Sequence, residues 1–249
     1  MVFSFTTAVA GFSILGFSRY IFKYAHMHIM NAQLCQQLYT PQNTIITFDI
    51  HGVLFEFDKQ KIKHILKKDA HVFKILLYLL WPPFTKDLIH FLRYKMNFEE
   101  FLFFLDKYKG LNRVKSTAIK IINSQKPNVS TTRLITELKD KGYSLHIFSN
   151  IGSTMFEQLK EQYPDLIKQF SYVQIPCIEN NFIGKPHKQA YREYKSLLDS
   201  RNKNIVFIDD NKKNVRSALA CKIYSIHFKN TQKLHAQLQE IKVLQKPLH

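Results

Sequence analysis

Ile45-Ile46-Thr47-Phe48-Asp49-Ile50-His51-Gly52-Val53-Leu54 decides the architecture: an apolar run that closes on a carboxylate, an imidazole and a glycine. A short apolar run ended by a turn signal reads as a strand buried on both faces, of the kind found inside parallel α/β sheets. Asp49 then stands at the C-terminal end of that strand, beside the crevice where open α/β sheets bind their ligands. Gly52 lets the backbone turn sharply just behind it.

Downstream of Ser130, helix and strand patterns alternate. Thr131 to Lys141 reads as a helix stopped by Gly142, and Tyr143 to Phe148 as a strand ending in Ser149-Asn150. Ser153 to Tyr163 is the next helix, followed by a strand around Tyr172 to Ile175. Pro186 to Leu198 reads as a helix with proline in its first turn, where the missing N–H matters least. Ile205 to Ile208 is a buried strand ending in Asp209-Asp210, and Asn214 to Ala220, Tyr224 to Phe228 and a helix from Thr231 complete the series. This alternation predicts an α/β fold built on a doubly wound, Rossmann-like parallel sheet.

Three of those strands end in polar groups: Asp49, Ser149 and Asp209-Asp210. Parallel strands aim all three ends at one crevice, and Gly184-Lys185-Pro186 opens a helix that can lie at its rim. Carboxylates, a hydroxyl and an ammonium are costly to bury for packing alone, so a functional site is the better reading.

Between the first strand and the rest of the sheet the period changes to that of helices. Lys59 to Lys68, Val72 to Trp81, Lys86 to Tyr94, Phe98 to Tyr108 and Asn112 to Asn123 carry apolar residues at helical spacing, with breaks at Pro82-Pro83 and Gly110. The pattern predicts an all-helical cap over 59–125, inserted into a core formed by 41–58 and 126–249. Phe73, Leu76, Leu77, Leu80, Phe101, Phe104 and Leu105 are its expected apolar interior.

Residues 1–40 stand apart from both. The first 18 carry no charged side chain, and Arg19 and Lys23 follow them. Eighteen helical residues span about 27 Å, just short of a hydrocarbon core of about 30 Å, so the segment reads either as a membrane anchor or as a helix packed on the domain. Inserted, it would keep the basic body behind it on the cytoplasmic side. Residues 24–40 read as a helix, and Thr40-Pro41-Gln42-Asn43 as the turn into the first strand.

Thirty-six basic against 19 acidic residues give a net charge of +17, which favours phosphate-bearing partners or an anionic membrane surface. The lysines are scattered rather than blocked, so the plain reading is a solvated basic surface, and no nucleic-acid partner is expected. Cys35, Cys177 and Cys221 lie far apart without metal-ligand spacing, as expected of reduced thiols in a cytoplasmic protein.

Taken in order, four of these stretches resemble the motifs of the haloacid dehalogenase-like hydrolase superfamily. Asp49-Ile50-His51-Gly52-Val53-Leu54 is similar to its first motif, although His51 occupies the place of a second aspartate. Ser149 matches the strand-terminal hydroxyl of the second motif, Lys185 the lysine of the third, with Tyr191 after it, and Asp209-Asp210 the acidic pair of the fourth. Asn214, Val215 and Ala218 follow that pair as the resemblance implies, whereas Lys222 stands where these proteins usually carry glycine.

The resemblance implies a phosphatase or phosphotransferase of small phosphorylated metabolites, working through an aspartyl-phosphate on Asp49. It implies a Mg²⁺ ion held by Asp49, the backbone carbonyl of His51, Asp209 and Asp210, with Ser149, Asn150 and Lys185 binding the substrate phosphate. His51 becomes either the acid-base in place of the missing aspartate or a spacer that supplies only its carbonyl. A hydrolytic dehalogenase and a catalytically silent binding or membrane-associated module are the alternatives.

Overall fold

The computed structural model describes residues 39–68, 80–87, 103–108, 111–177, 180, 183–199 and 203–244. Strand β1 (Thr44–Phe48) is its centre. It pairs in parallel with β4 (Ser144–Phe148) on one side and with β6 (Asn204–Asp209) on the other. β5 (Tyr172–Gln174) and β7 (Tyr224–His227) extend the sheet to the order β5-β4-β1-β6-β7, parallel throughout. The chain runs outward from β1 through β4 to β5, then crosses back to β6 and on to β7. β1 is therefore flanked by strands of both wings, and its carboxyl end opens at the switch point where such sheets bind ligands.

The two-residue period of β1 divides its side chains between two cores. Ile46 and Phe48 face the larger one, with Leu134, Ile135 and Leu138 of α3 (Val129–Asp140) and Leu145, Ile147, Val206 and Ile208 of the neighbouring strands. Ile45 faces the other, with Tyr191 and Tyr194 of α6 (Lys188–Asp199) and Ala218 of α7 (Lys212–Ala220). Thr47 points the same way and satisfies its hydroxyl on Tyr194 Oη at 2.7 Å, which also meets His146 Nδ1 at 2.9 Å.

Side-chain caps set several helix starts. Asn128, Asn211 and Asn230 each accept a backbone N–H in the first turn of α3, α7 and α8 (Thr231–Glu240), at 3.1, 2.9 and 2.9 Å. α3 stops where expected: Gly142 turns with φ +85° and Tyr143 N–H donates back to the Leu138 carbonyl at 3.1 Å. α4 (Ser153–Gln162) is followed at once by one further short helix, α5 (Pro164–Ile167).

Lys222, where relatives usually carry glycine, adopts φ +58° at the end of α7. A lysine pays the left-handed penalty that glycine escapes, and only part of that penalty returns through a stiffer unfolded chain. Lys222→Gly is therefore expected to raise the melting temperature, with a gain below about 1 kcal/mol in denaturant titrations.

The region between β1 and α3 departs from the sequence expectation in three places. It is not purely helical. Phe55–Phe57 forms β2 and pairs antiparallel with β3 (Gln125–Pro127), Phe57 opposite Gln125. Three-residue strands are too short to show a period, which is why neither stood out. Beyond this ribbon, α1 (Lys59–Lys68) lies against α2 (Asn112–Ile122).

The helix expected from Lys86 already begins at Pro82 and Pro83 and is described over 82–87, since proline is tolerated in a first turn. Leu80 is not interior: it sits in the turn before them, 82% exposed. Phe104 and Leu105 are buried, and Phe104 packs with Phe84 and Tyr108 at ring separations of 5.5 and 5.4 Å. Phe73, Leu76, Leu77 and Phe101, and the expected leader and helix over 1–38, lie outside the described residues. Among the described residues no helix is long and apolar enough to cross a membrane.

Candidate active site

Asp49 leaves β1 with its backbone N–H still donating to the Ile208 carbonyl at 2.9 Å, so the sheet itself fixes where the carboxylate begins. Its Oδ1 accepts the Ile50 N–H at 2.7 Å and lies 3.0 Å from Lys185 Nζ. Gly52 then turns with φ +79°, and a side chain there would collide with Asp210, whose Oδ2 lies 2.4 Å from where its Cβ would stand. Two features of the first motif thus answer to one place: the turn aims Asp49, and the missing side chain leaves room for Asp210.

Asp209 ends β6 wholly buried. Its Oδ1 accepts from Asn211 N–H at 2.8 Å, and Asn214 Nδ2 donates to both carboxylate oxygens at 3.1 and 3.0 Å. Lys185 Nζ donates to Oδ2 at 2.6 Å. Burial pushes the Asp209 carboxyl above the usual range; the Lys185 ammonium pulls it back down, and the Asp49 carboxylate pushes it up again. Asp210 lies more open to solvent. It too is raised, by partial desolvation first and by Asp49 second.

Lys185 is 2% exposed, an unusual depth for an ammonium. Its charge is met by Asp49 and Asp209 and by the faces of Phe148 and Phe207, whose ring centroids are 5.6 and 5.2 Å away. Asn150 clamps its backbone: Oδ1 accepts Lys185 N–H at 2.7 Å and Nδ2 donates to the Lys185 carbonyl at 2.5 Å. A side chain at Gly184 would strike that amide, with Asn150 Oδ1 2.5 Å from where its Cβ would stand. Because this clamp and the bond from His187 N–H to the Gly184 carbonyl hold 184–187 as a turn, α6 starts at Lys188, and Pro186 is not in its first turn. The Asn150 side-chain amide is thus occupied in holding Lys185.

Ser149 ends β4 only 1% exposed. Its N–H donates to the Gln174 carbonyl at 3.0 Å, but its hydroxyl has no partner among the described residues, nor has Asn214 Oδ1. His51 is half-buried; its Nδ1 lies 2.8 Å from Gln125 Oε1, and its ring runs nearly parallel to Phe57, 16° between planes at 6.3 Å. The sequence reading overlooked Gln125 and Phe57. Neither sits in a motif, and Gln125 meets His51 only through the ribbon.

Asp49, Asp209 and Asp210 bring donor oxygens within 4.8 Å of one another. Three carboxylates against one ammonium leave two negative charges in excess, and an all-oxygen donor set of that charge suits a hard divalent cation. A carboxylate fixed by the sheet, a buried ammonium and an unpartnered hydroxyl lie around it, groups able to hold an anionic substrate and a cation together.

Comparison with known proteins bears on the family and the fold. A sesquiterpene phosphatase of Aspergillus oryzae is 23% identical over 196 residues, which span 78% of this chain and 94% of that protein. L-2-haloacid dehalogenase from Xanthobacter autotrophicus, solved with chloropropionic acid covalently bound, aligns with TM-score 0.53 at 15% identity over 81% of this chain and 84% of that one. A family enzyme of Bacteroides thetaiotaomicron, solved in complex with magnesium and inorganic phosphate, aligns with TM-score 0.51 at 16% identity over 75% and 94%. At such identities the two structures speak for the fold. The model of the haloacid dehalogenase-like hydrolases matches residues 44–222, a range that holds all four motifs and strands β1, β4, β5 and β6, and the chain belongs to that family of hydrolases.

Proposed function

We propose that the protein is a Mg²⁺-dependent phosphatase or phosphotransferase that acts on a small phosphorylated metabolite through an aspartyl-phosphate on Asp49. The convergence of three carboxylates on one point carries this reading. Mg²⁺ held by Asp49, Asp209, Asp210 and the His51 carbonyl would supply positive charge against the phosphoryl oxygens.

The chain's own residues do the rest. Asp49 attacks phosphorus, and the bond to the leaving oxygen breaks as His51 protonates that oxygen. Lys185 and the Ser149 hydroxyl hold the phosphoryl oxygens. In the second step His51 takes a proton from water, whose oxygen displaces Asp49 and releases phosphate.

A dehalogenase fits less well. Its substrate is itself a carboxylate, and the Asp209-Asp210 pair beside Asp49 would repel it. The Aspergillus relative is a sesquiterpene phosphatase, which supports an apolar alcohol as the leaving group here. Phe57, whose ring borders His51 and is partly exposed, offers such a group an apolar surface.

The test is phosphate release from a panel of phosphomonoesters, prenyl phosphates included, with Mg²⁺ and in excess chelator. Release only with Mg²⁺ is expected. Release in chelator overturns the metal, and no release from any member would favour a silent module. The role of His51 is tested by its leaving-group dependence. His51→Ala is expected to lower turnover of an alkyl phosphate roughly 10²- to 10⁴-fold, to spare the single-turnover release of nitrophenol, which needs no acid, from nitrophenyl phosphate, and to be rescued in His51→Asp.

A further inference from the structure

Gln125 presents a cost that the fold does not explain. Its side chain is 5% exposed, its Nε2 has no partner among the described residues, and its Oε1 meets only His51 Nδ1, at 2.8 Å. A half-satisfied amide is a poor way to fill a core, where an apolar side chain of the same length would serve better. The one bond the amide does make therefore asks for a reason beyond packing.

The surroundings supply it. Gln125 and Phe57 are directly opposed in the β2–β3 ribbon, so their side chains leave the same face. Both grip one imidazole, Gln125 at Nδ1 and Phe57 across the ring face. The ribbon is itself fastened to the sheet domain. Tyr163 Oη donates to the Gln125 carbonyl at 3.3 Å, and its ring lies 5.2 Å from Phe55. His51 is also bridged to Phe55 through the backbone. Acceptance by Oε1 leaves Nδ1 as the protonated ring nitrogen, and Nε2 as the nitrogen free to face a reacting group.

We propose that Gln125 is a positioning residue, which holds the His51 ring so that Nε2 alone exchanges the proton with the leaving group and with water. The inference rests on the acid-base reading of His51 above. Phe57 sets the plane of the ring, and Gln125 sets its rotation about that plane. A ring turned over would present the wrong nitrogen, and misplacement on this scale costs reactivity rather than binding.

The experiment compares Gln125→Met, which keeps length and loses the amide, with Gln125→Glu, which keeps an acceptor for Nδ1–H, in the Mg²⁺-loaded full chain. Gln125→Met is expected to lower kcat on an alkyl phosphate about 10- to 100-fold, to leave KM and the single-turnover release of nitrophenol unchanged, and not to lower the melting temperature. Gln125→Glu should restore most of the loss. Imidazole nitrogen NMR should show His51 as the Nδ1–H tautomer in the wild type and a mixture in Gln125→Met.

Equal losses in single-turnover release from both substrates, or no loss on either, would overturn the inference. Gln125→Leu is read in the same way should the Met variant fail to fold, and failure of both makes the amide structural and also overturns it. His51→Ala, run beside them, separates the two claims. If it shows no difference between leaving groups, the acid-base reading fails; if it does while Gln125→Met does not, only the positioning role fails.

Discussion

Asp49→Asn is expected to abolish turnover while leaving the protein folded. The substitution keeps the shape and an oxygen able to accept the Ile50 N–H, now made at 2.7 Å. What it removes is the attacking electron pair, and loss of a nucleophile costs on the order of 10⁶-fold. Lys185 would still be paired with Asp209 at 2.6 Å, so the buried ammonium is not stranded and the melting temperature should change little. Phosphate release and a thermal melt on the same preparation check both halves. Residual turnover near wild type would remove Asp49 from the chemistry altogether.

The acidic pair should act together on the cation. Asp209→Asn and Asp210→Asn each remove one charge facing the cation and should each take Mg²⁺-dependent turnover close to zero. Asp209 is the nearer partner of a fully buried ammonium, but its loss leaves Lys185 paired with Asp49 at 3.0 Å, and its own ionised form is disfavoured by burial, so stability in chelator should fall little. Asp210 makes no ion pair among the described residues and is crowded by Asp49, so its neutralisation should raise the melting temperature.

The pH dependence follows from the same directions. Both carboxyls titrate higher in the fold than unfolded, so between the two values the native state binds more protons. The stability of the metal-free protein should then fall as pH rises through the carboxylate range, and Mg²⁺ should cancel the fall. Melts across that range, with Mg²⁺ and with chelator, read it directly. A metal-free protein that gains stability over that window would contradict the crowding.

The β1 stretch was legible because two signals coincide in it: uninterrupted apolarity over a short run, which only a strand covered on both faces tolerates, and a polar ending at a glycine. The same logic found β4 and β6 and, through them, the crevice. What escaped depended on distant partners. Gln125 joins His51 across 74 positions of sequence, and no local pattern announces such a bond. Pro186 looked like a helix start because proline often is one, but the Asn150 clamp, 35 residues away, holds the turn open until Lys188. Leu80 fitted a helical stripe that the turn before Pro82 interrupts. For Gln125 and Pro186 the deciding contact exists only after the sheet has formed.

The pairing of Phe57 with Gln125 has a bearing on how such a protein can change over time. The chain departs from the sheet domain and returns to it at adjacent positions of one short ribbon. A segment whose two ends meet at a single doorway can be lengthened, shortened or traded for another without displacing β1, β4 or β6, because nothing in the register of those strands depends on the path taken outside. Replacement of the stretch between 57 and 125 should therefore leave the carboxylates and Lys185 where they are. The same economy sets a limit: a graft that discards Gln125 or Phe57 along with the segment would, on the positioning role proposed above, also loosen His51.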